Sequence, residues 1–147
     1  MLSKLRERSQ GEAGFTLVEL LVVMLIIGLL AAIAIPAFFN QKQKANDAQA
    51  KVYARTAQTA IETYSTDNNG SYVGATPAAL QNIEPTLNGA NGLAVSGLSA
   101  TGYSVAVNAP AGTSGNVFTI TRNTNGTVSL TCTTAGNAGC PASGNWG

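Results

Sequence analysis

The 147-residue chain is long enough for one domain and too short for two ordinary ones, and only 10% of it is charged, against roughly 25% in typical soluble proteins. Eight Lys and Arg against seven Asp and Glu give a net charge of +1, which offers no basic field for holding nucleic acid. Histidine, the commonest general base and metal ligand, is absent, and two cysteines cannot build a four-thiolate zinc site, so most enzyme classes are excluded.

Lys4, Arg6 and Arg8 crowd the first eight residues, with Glu7 and Glu12 among and after them. From Gly14 to Asn40 the only charge is Glu19. Leu20 to Phe39 is a run of twenty uncharged, mostly apolar residues, which as a helix spans about 30 Å, the hydrocarbon thickness of a bilayer. Basic residues precede the run, which predicts the N-terminus in the cytoplasm and the rest outside. A conventional signal peptide cleaved after Ala32-Ile33-Ala34 fits the same hydropathy. Two features oppose it. Glu19 stands at the start of the run, where a carboxylate deep in a bilayer costs roughly 2.5–3.5 kcal/mol and a partner is to be sought for it. The helical pattern also continues past Pro36 instead of stopping in a loop.

That continuation runs from Ala37 to about Thr66. Ala45, Ala48 and Val52 follow one helix face, and Tyr53, Ala57, Ala60, Ile61 and Tyr64 form an adjacent stripe. Lys42, Lys44, Asp47, Lys51, Arg55 and Glu62 are expected on the remaining surface, with Asp47 spaced to pair with Lys51. Asp67-Asn68-Asn69-Gly70 should stop the helix with a left-handed glycine. The cluster has the oxygens a calcium ion takes, yet no twelve-residue loop with a closing glutamate follows, and capping explains it. Pro36 removes a backbone donor and should bend or loosen the helix, and Gly28 weakens its first half.

Gly14-Phe15-Thr16-Leu17-Val18-Glu19, followed at once by the apolar run, resembles the N-terminal signature of type IV prepilins and type II secretion pseudopilins. The likeness covers about Gly11 to Tyr64. It implies cleavage between Gly14 and Phe15 by a prepilin peptidase, N-methylation of Phe15, and retention of the apolar helix. It also implies flexibility near Gly28 and Pro36 within a filament; plain helix packing at Gly28 and a simple kink at Pro36 are the alternatives. Glycine before the scissile bond leaves an unhindered backbone for a protease at the membrane face. Cleavage exposes an α-amino group on Phe15, which the Glu19 carboxylate of a neighbouring subunit can pair with. At 4 Å and an effective dielectric near 20, that attraction is on the order of 4 kcal/mol before desolvation. Much of it is offset by desolvation, but a wrong register would leave a charge buried alone.

After Gly70, Thr76-Pro77 reads as an N-cap and first turn of a short helix reaching about Ile83, ended by Glu84-Pro85. A Gly-, Asn- and Ser-rich connection runs from Asn88 to Gly102. Three strands follow from alternation: Tyr103, Val105 and Val107; Phe118 and Ile120; Val128, Leu130 and Cys132. Ala109 to Gly115 joins the first two and Asn123-Thr124-Asn125-Gly126 the last two. Cys132 and Cys140 lie beyond the membrane in the predicted orientation, so an oxidised pair is expected. It resembles the C-terminal disulfide loop of many type IV pilins, though that loop is commonly longer.

The expected fold is therefore α+β: a long, bent N-terminal helix, membrane-spanning in its first half and amphipathic in its second, packed on a small C-terminal antiparallel sheet of three or four strands. Its segments are a leader peptide (1–14), a hydrophobic helix for membrane and filament core (15–39), its amphipathic continuation (40–66) and a globular head (67–147). The resemblance implies a structural subunit of a type IV pilus, the major one, with no catalytic residue, cofactor or metal. Its partners would be further copies of itself in a helical polymer, a prepilin peptidase and N-methyltransferase, an assembly platform with minor pilins, and membrane lipid before assembly. The precursor would sit in the cytoplasmic membrane and the polymer outside the cell, serving adhesion, motility or DNA uptake. The alternatives are a type II secretion pseudopilin, or a secreted binding domain with a conventional signal peptide. Pseudopilins of the major type tend to carry a calcium-binding loop where pilins carry a disulfide, so the cysteines favour the pilus.

Overall fold

The computed structural model describes residues 14–147; the leader expected over residues 1–14 lies outside the described residues except for Gly14. The chain divides into two units, Met1–Phe38 and Phe39–Gly147. Helix α1, Leu17–Asp67, runs through Gly28 and Pro36 without a break. In the first unit its large apolar side chains are exposed on every side, Leu25 and Ile33 at 69% and 70%. A helix apolar all round has no surface that prefers water. It is long and apolar enough to cross a membrane.

In the second unit the same helix is one-sided. Ala50, Ala54, Ala57, Ala60 and Ile61 are buried and share one core with Tyr103, Val105, Val107, Phe118, Ile120 and Leu130 of the sheet. Four small alanines line the buried face, and the large side chains of Tyr103 and Phe118 fill the space between helix and sheet. The apolar face formed by Ala45, Ala48 and Val52 is exposed instead, Val52 at 62%. The stripe expected from Tyr53 to Tyr64 is the one in the core, with Ala57, Ala60 and Ile61 buried, and it extends back through Ala54 and Ala50 to Asp47. Tyr53 and Tyr64 flank it, half-buried.

The helix closes with Asn69 and Gly70 both left-handed, at φ 55 and 81, and Gly70 N–H donates to Ser65 O at 2.7 Å. Asn68 caps a further carbonyl, Tyr64 O, at 2.8 Å. Helix α2, Pro77–Ile83, starts from Thr76, whose hydroxyl accepts Ala79 N–H at 3.1 Å. Glu84-Pro85 ends it and opens a short 3₁₀ turn, Pro85–Gly89, absent from the sequence reading.

The sheet is antiparallel with strands in sequence order: β1 (Ala94–Ser96), β2 (Tyr103–Asn108), β3 (Val117–Arg122) and β4 (Val128–Cys132). Val105 opposes Ile120, and Ile120 opposes Leu130, so the apolar residues of neighbouring strands stack on the helix side. On the other face Ser104 and Thr121 hydroxyls meet at 3.1 Å. β1 lies inside the stretch read as a connection. The last residues cover the outer edge of β4: Cys132 N–H donates to Gly144 O and Trp146 N–H to Leu130 O. An unpaired strand edge is thereby removed.

Candidate processing and assembly site

The first unit places the signature residues at the start of α1. Thr16 is the N-cap and Glu19 the third helical residue, and the two bond reciprocally. Glu19 N–H donates to Thr16 Oγ1 at 3.1 Å, while Thr16 N–H and its hydroxyl donate to Glu19 Oε2 at 3.1 and 3.2 Å. This is a capping box, which satisfies two of the helix's orphan donors and sets a carboxylate at the positive end of the helix dipole. The sequence reading missed Thr16, although the Thr-x-x-Glu spacing before an apolar run carries the signal. Oε1 of Glu19 makes no bond among the described residues. Phe15 is 79% exposed, and a side chain added at Gly14 would meet nothing within 4 Å. Gly28 likewise has open space around it.

In the second unit two carboxylates organise the polar contacts. Glu62 accepts from Tyr72 Oη at 2.7 Å, Tyr103 Oη at 2.9 Å and Arg122 at 3.3 Å. Burial first, then the hydrogen bond to Glu62, push the Tyr103 hydroxyl well above its ordinary value, and the same causes raise Tyr72. Arg122 and Glu62 are each about a third exposed, so the ion pair itself contributes about 1 kcal/mol or less.

Asp47 departs furthest from expectation. It forms no ion pair with Lys51. Its carboxylate is fully buried and accepts from Ser114 Oγ, from Asn116 Nδ2 at 2.8 Å and from Gly139 N–H at 2.8 Å. Lys51 turns to the rings of Phe118 and Trp146, with Nζ 5.4 and 5.9 Å from their centroids, and Arg55 lies 5.3 Å from that of Trp146. The ion pair fails because Asp47 points into the fold, where three neutral donors replace water.

Cys132 and Cys140 are joined as a disulfide with Cα atoms 5.8 Å apart. Among the described residues no group of three or more Cys, Asp or Glu side chains could hold a metal ion.

The N-terminal helix and its cap lie within a recognised motif: residues 9–35 match the family described as the prokaryotic N-terminal methylation motif. Over part of its length the chain is similar to type IV pilins and to type II secretion core proteins. It is 45% identical over 56 residues to the type IV wide pilus major component PilA4 of Thermus thermophilus, covering 38% of this chain and 43% of that protein. It is 36% identical over 62 residues to the type II secretion system core protein G of Aeromonas hydrophila, covering 42% and 43%. A fimbrial protein of Neisseria meningitidis is 35% identical over 68 residues, 46% and 39% of the two chains. The match thus spans less than half the length of these relatives. No solved structure matches the chain.

Proposed function

We propose that this chain is a structural subunit of a type IV pilus, the major one, and not an enzyme. The observation that carries the reading is the first unit: an apolar helix exposed on all sides, opened by a glutamate, inside the matched methylation motif. Such a helix needs either lipid or other copies of itself around it. The precursor is held in the cytoplasmic membrane with its N-terminus in the cytoplasm. A prepilin peptidase cleaves between Gly14 and Phe15, and Phe15 is N-methylated, which retains the positive charge. The mature chain then leaves the bilayer for a filament whose core is built from the same helices, so the apolar surface never meets water. Assembly platform and minor pilins guide this step.

Glu19 has two tasks at that point. Oε2 keeps the helix capped through Thr16, and Oε1 remains available to the Phe15 ammonium of a neighbour. Gly28 and Pro36 supply flexibility to the packed helix.

The type II pseudopilin reading is supported by the core protein G relatives, which are 36% identical over 62 and 58 residues. The disulfide at Cys132 and Cys140 favours the pilus. Electron microscopy of cells with and without the chain decides: loss of long surface filaments supports the proposal, and unchanged filaments with a block in protein secretion replace it by the pseudopilin. Intact mass of the exported protein tests processing, since a start at Phe15 is expected and a start at Ile35 overturns it.

A further inference from the structure

The Asp47 cluster does more than fill the core. Its three donors come from two loops remote in sequence, Ser114 and Asn116 between β2 and β3, and Gly139 in the segment closed by the disulfide. A carboxylate stays buried only while such donors are in place. The two loops are also tied to each other, Asn137 Nδ2 donating to Ser114 O at 3.0 Å and Asn116 Nδ2 to Asn137 O at 2.9 Å. Gly139 is the residue immediately before Cys140, and its approach is so close that an added Cβ would lie 2.5 Å from the Asp47 Cβ. Cys140 N–H in turn donates to Asn137 O at 2.9 Å, and Cys140 is 2% exposed.

We infer that Asp47 is a positioning residue for closure of the Cys132–Cys140 disulfide. Docking of Gly139 on the helix carboxylate seats Cys140 opposite Cys132 before the sulfurs are joined. The bond forms by exchange with an oxidised thiol donor. The Cys132 thiolate attacks the donor disulfide and releases one thiol. The Cys140 thiolate then displaces the second, so two protein protons and two electrons pass to the donor. Docking and bonding stabilise the same loop arrangement, so each strengthens the other by the same factor.

The test equilibrates the purified mature chain in detergent with reduced and oxidised glutathione, traps free thiols and reads the oxidised fraction by intact mass. Asp47→Asn keeps the volume and loses the charge. Gly139→Ala leaves Asp47 itself unchanged and pushes the loop away from it, since the added Cβ would lie 2.5 Å from the Asp47 Cβ. Both are expected to lower the effective concentration of the thiol pair on the order of 10- to 100-fold, the usual span of such coupling. Unfolding midpoints supply the second readout: Asp47→Asn should cost more with the disulfide present than in the Cys132→Ser/Cys140→Ser background. A glutathione equilibrium unchanged within twofold in Gly139→Ala, or an equal cost of Asp47→Asn in both backgrounds, overturns the inference. Should Asp47→Asn fail to fold, Gly139→Ala decides alone.

Discussion

In the proposed function Glu19 has two separable tasks, and two substitutions separate them. Glutamine at position 19 keeps an amide oxygen that can accept from Thr16 N–H and hydroxyl at 3.1 and 3.2 Å, but carries no charge. Alanine loses both. Capping interactions of this kind are worth about 0.5–2 kcal/mol, and Glu or Gln serves in the box. Leaving the Phe15 ammonium buried without its partner costs roughly 3–5 kcal/mol, which is enough to stall subunit addition. The charge effect is therefore the larger of the two, and Glu19→Gln should behave in assembly like Glu19→Ala despite its intact cap. Both variants should still be cleaved if the peptidase acts at Gly14 as proposed, and both should remain in the membrane, because removing a charge makes the segment more apolar. The assay is filament number by electron microscopy beside intact mass of the membrane-held chain. Wild-type numbers of filaments from Glu19→Gln cells would refute the pairing and leave the capping box as the whole role of the residue. Accumulation of uncleaved chain would move Glu19 into the peptidase's recognition site.

Gly14→Val should leave the leader attached, read as an uncleaved mass; a start at Phe15 in that variant sinks the assigned bond. Cys132→Ser should lower stability by about 2–3 kcal/mol, the loop-closure entropy of a nine-residue loop, and open residues 132–140 to protease; an unchanged midpoint under oxidising conditions contradicts this. Tyr103 gives a pH test. Its hydroxyl titrates above its ordinary value of 10.0 in the fold, so the protonated form is favoured by folding. The associated stability is complete below pH 10.0 and is lost as pH rises above it toward the folded-state value. Tyr103→Phe should flatten that alkaline decline of the melting temperature, and an identical decline in the variant counts against the raised titration that burial, and then the Glu62 hydrogen bond, give Tyr103.

Much of this molecule is legible along the chain. The apolar run after Glu19 needs only composition to be read, because a bilayer or a filament core selects for surface chemistry without regard to partners. Strands β2 to β4 follow from alternation, since Tyr103, Val105 and Val107 share one face of a pleated strand whatever lies above it. Thr76-Pro77 and Asn68 to Gly70 mark helix ends through backbone rules that operate within a few residues.

Asp47, by contrast, reads as a surface charge four residues from a lysine. Its burial depends on Ser114, Asn116 and Gly139, which are 67, 69 and 92 residues away, and no local pattern announces them. The same holds for the helix face. Ala45, Ala48 and Val52 are as apolar as Ala50, Ala54 and Ala57, so side-chain chemistry does not distinguish them. The face that meets the sheet is chosen by where Asp47 finds its donors and where Tyr103 and Phe118 find room. β1 is three residues long and exists only because Ala94 to Ser96 can pair with β2. Lys51 and Arg55 turn to Trp146 because the C-terminal segment lies along β4. The sequence by itself determined the elements and the membrane-competent helix, because propensity, capping and hydropathy act over a few residues. Only the tertiary structure decided how far the core face extends along the helix and which carboxylate is buried, because burial of a carboxylate is set by donors that arrive from elsewhere in the chain.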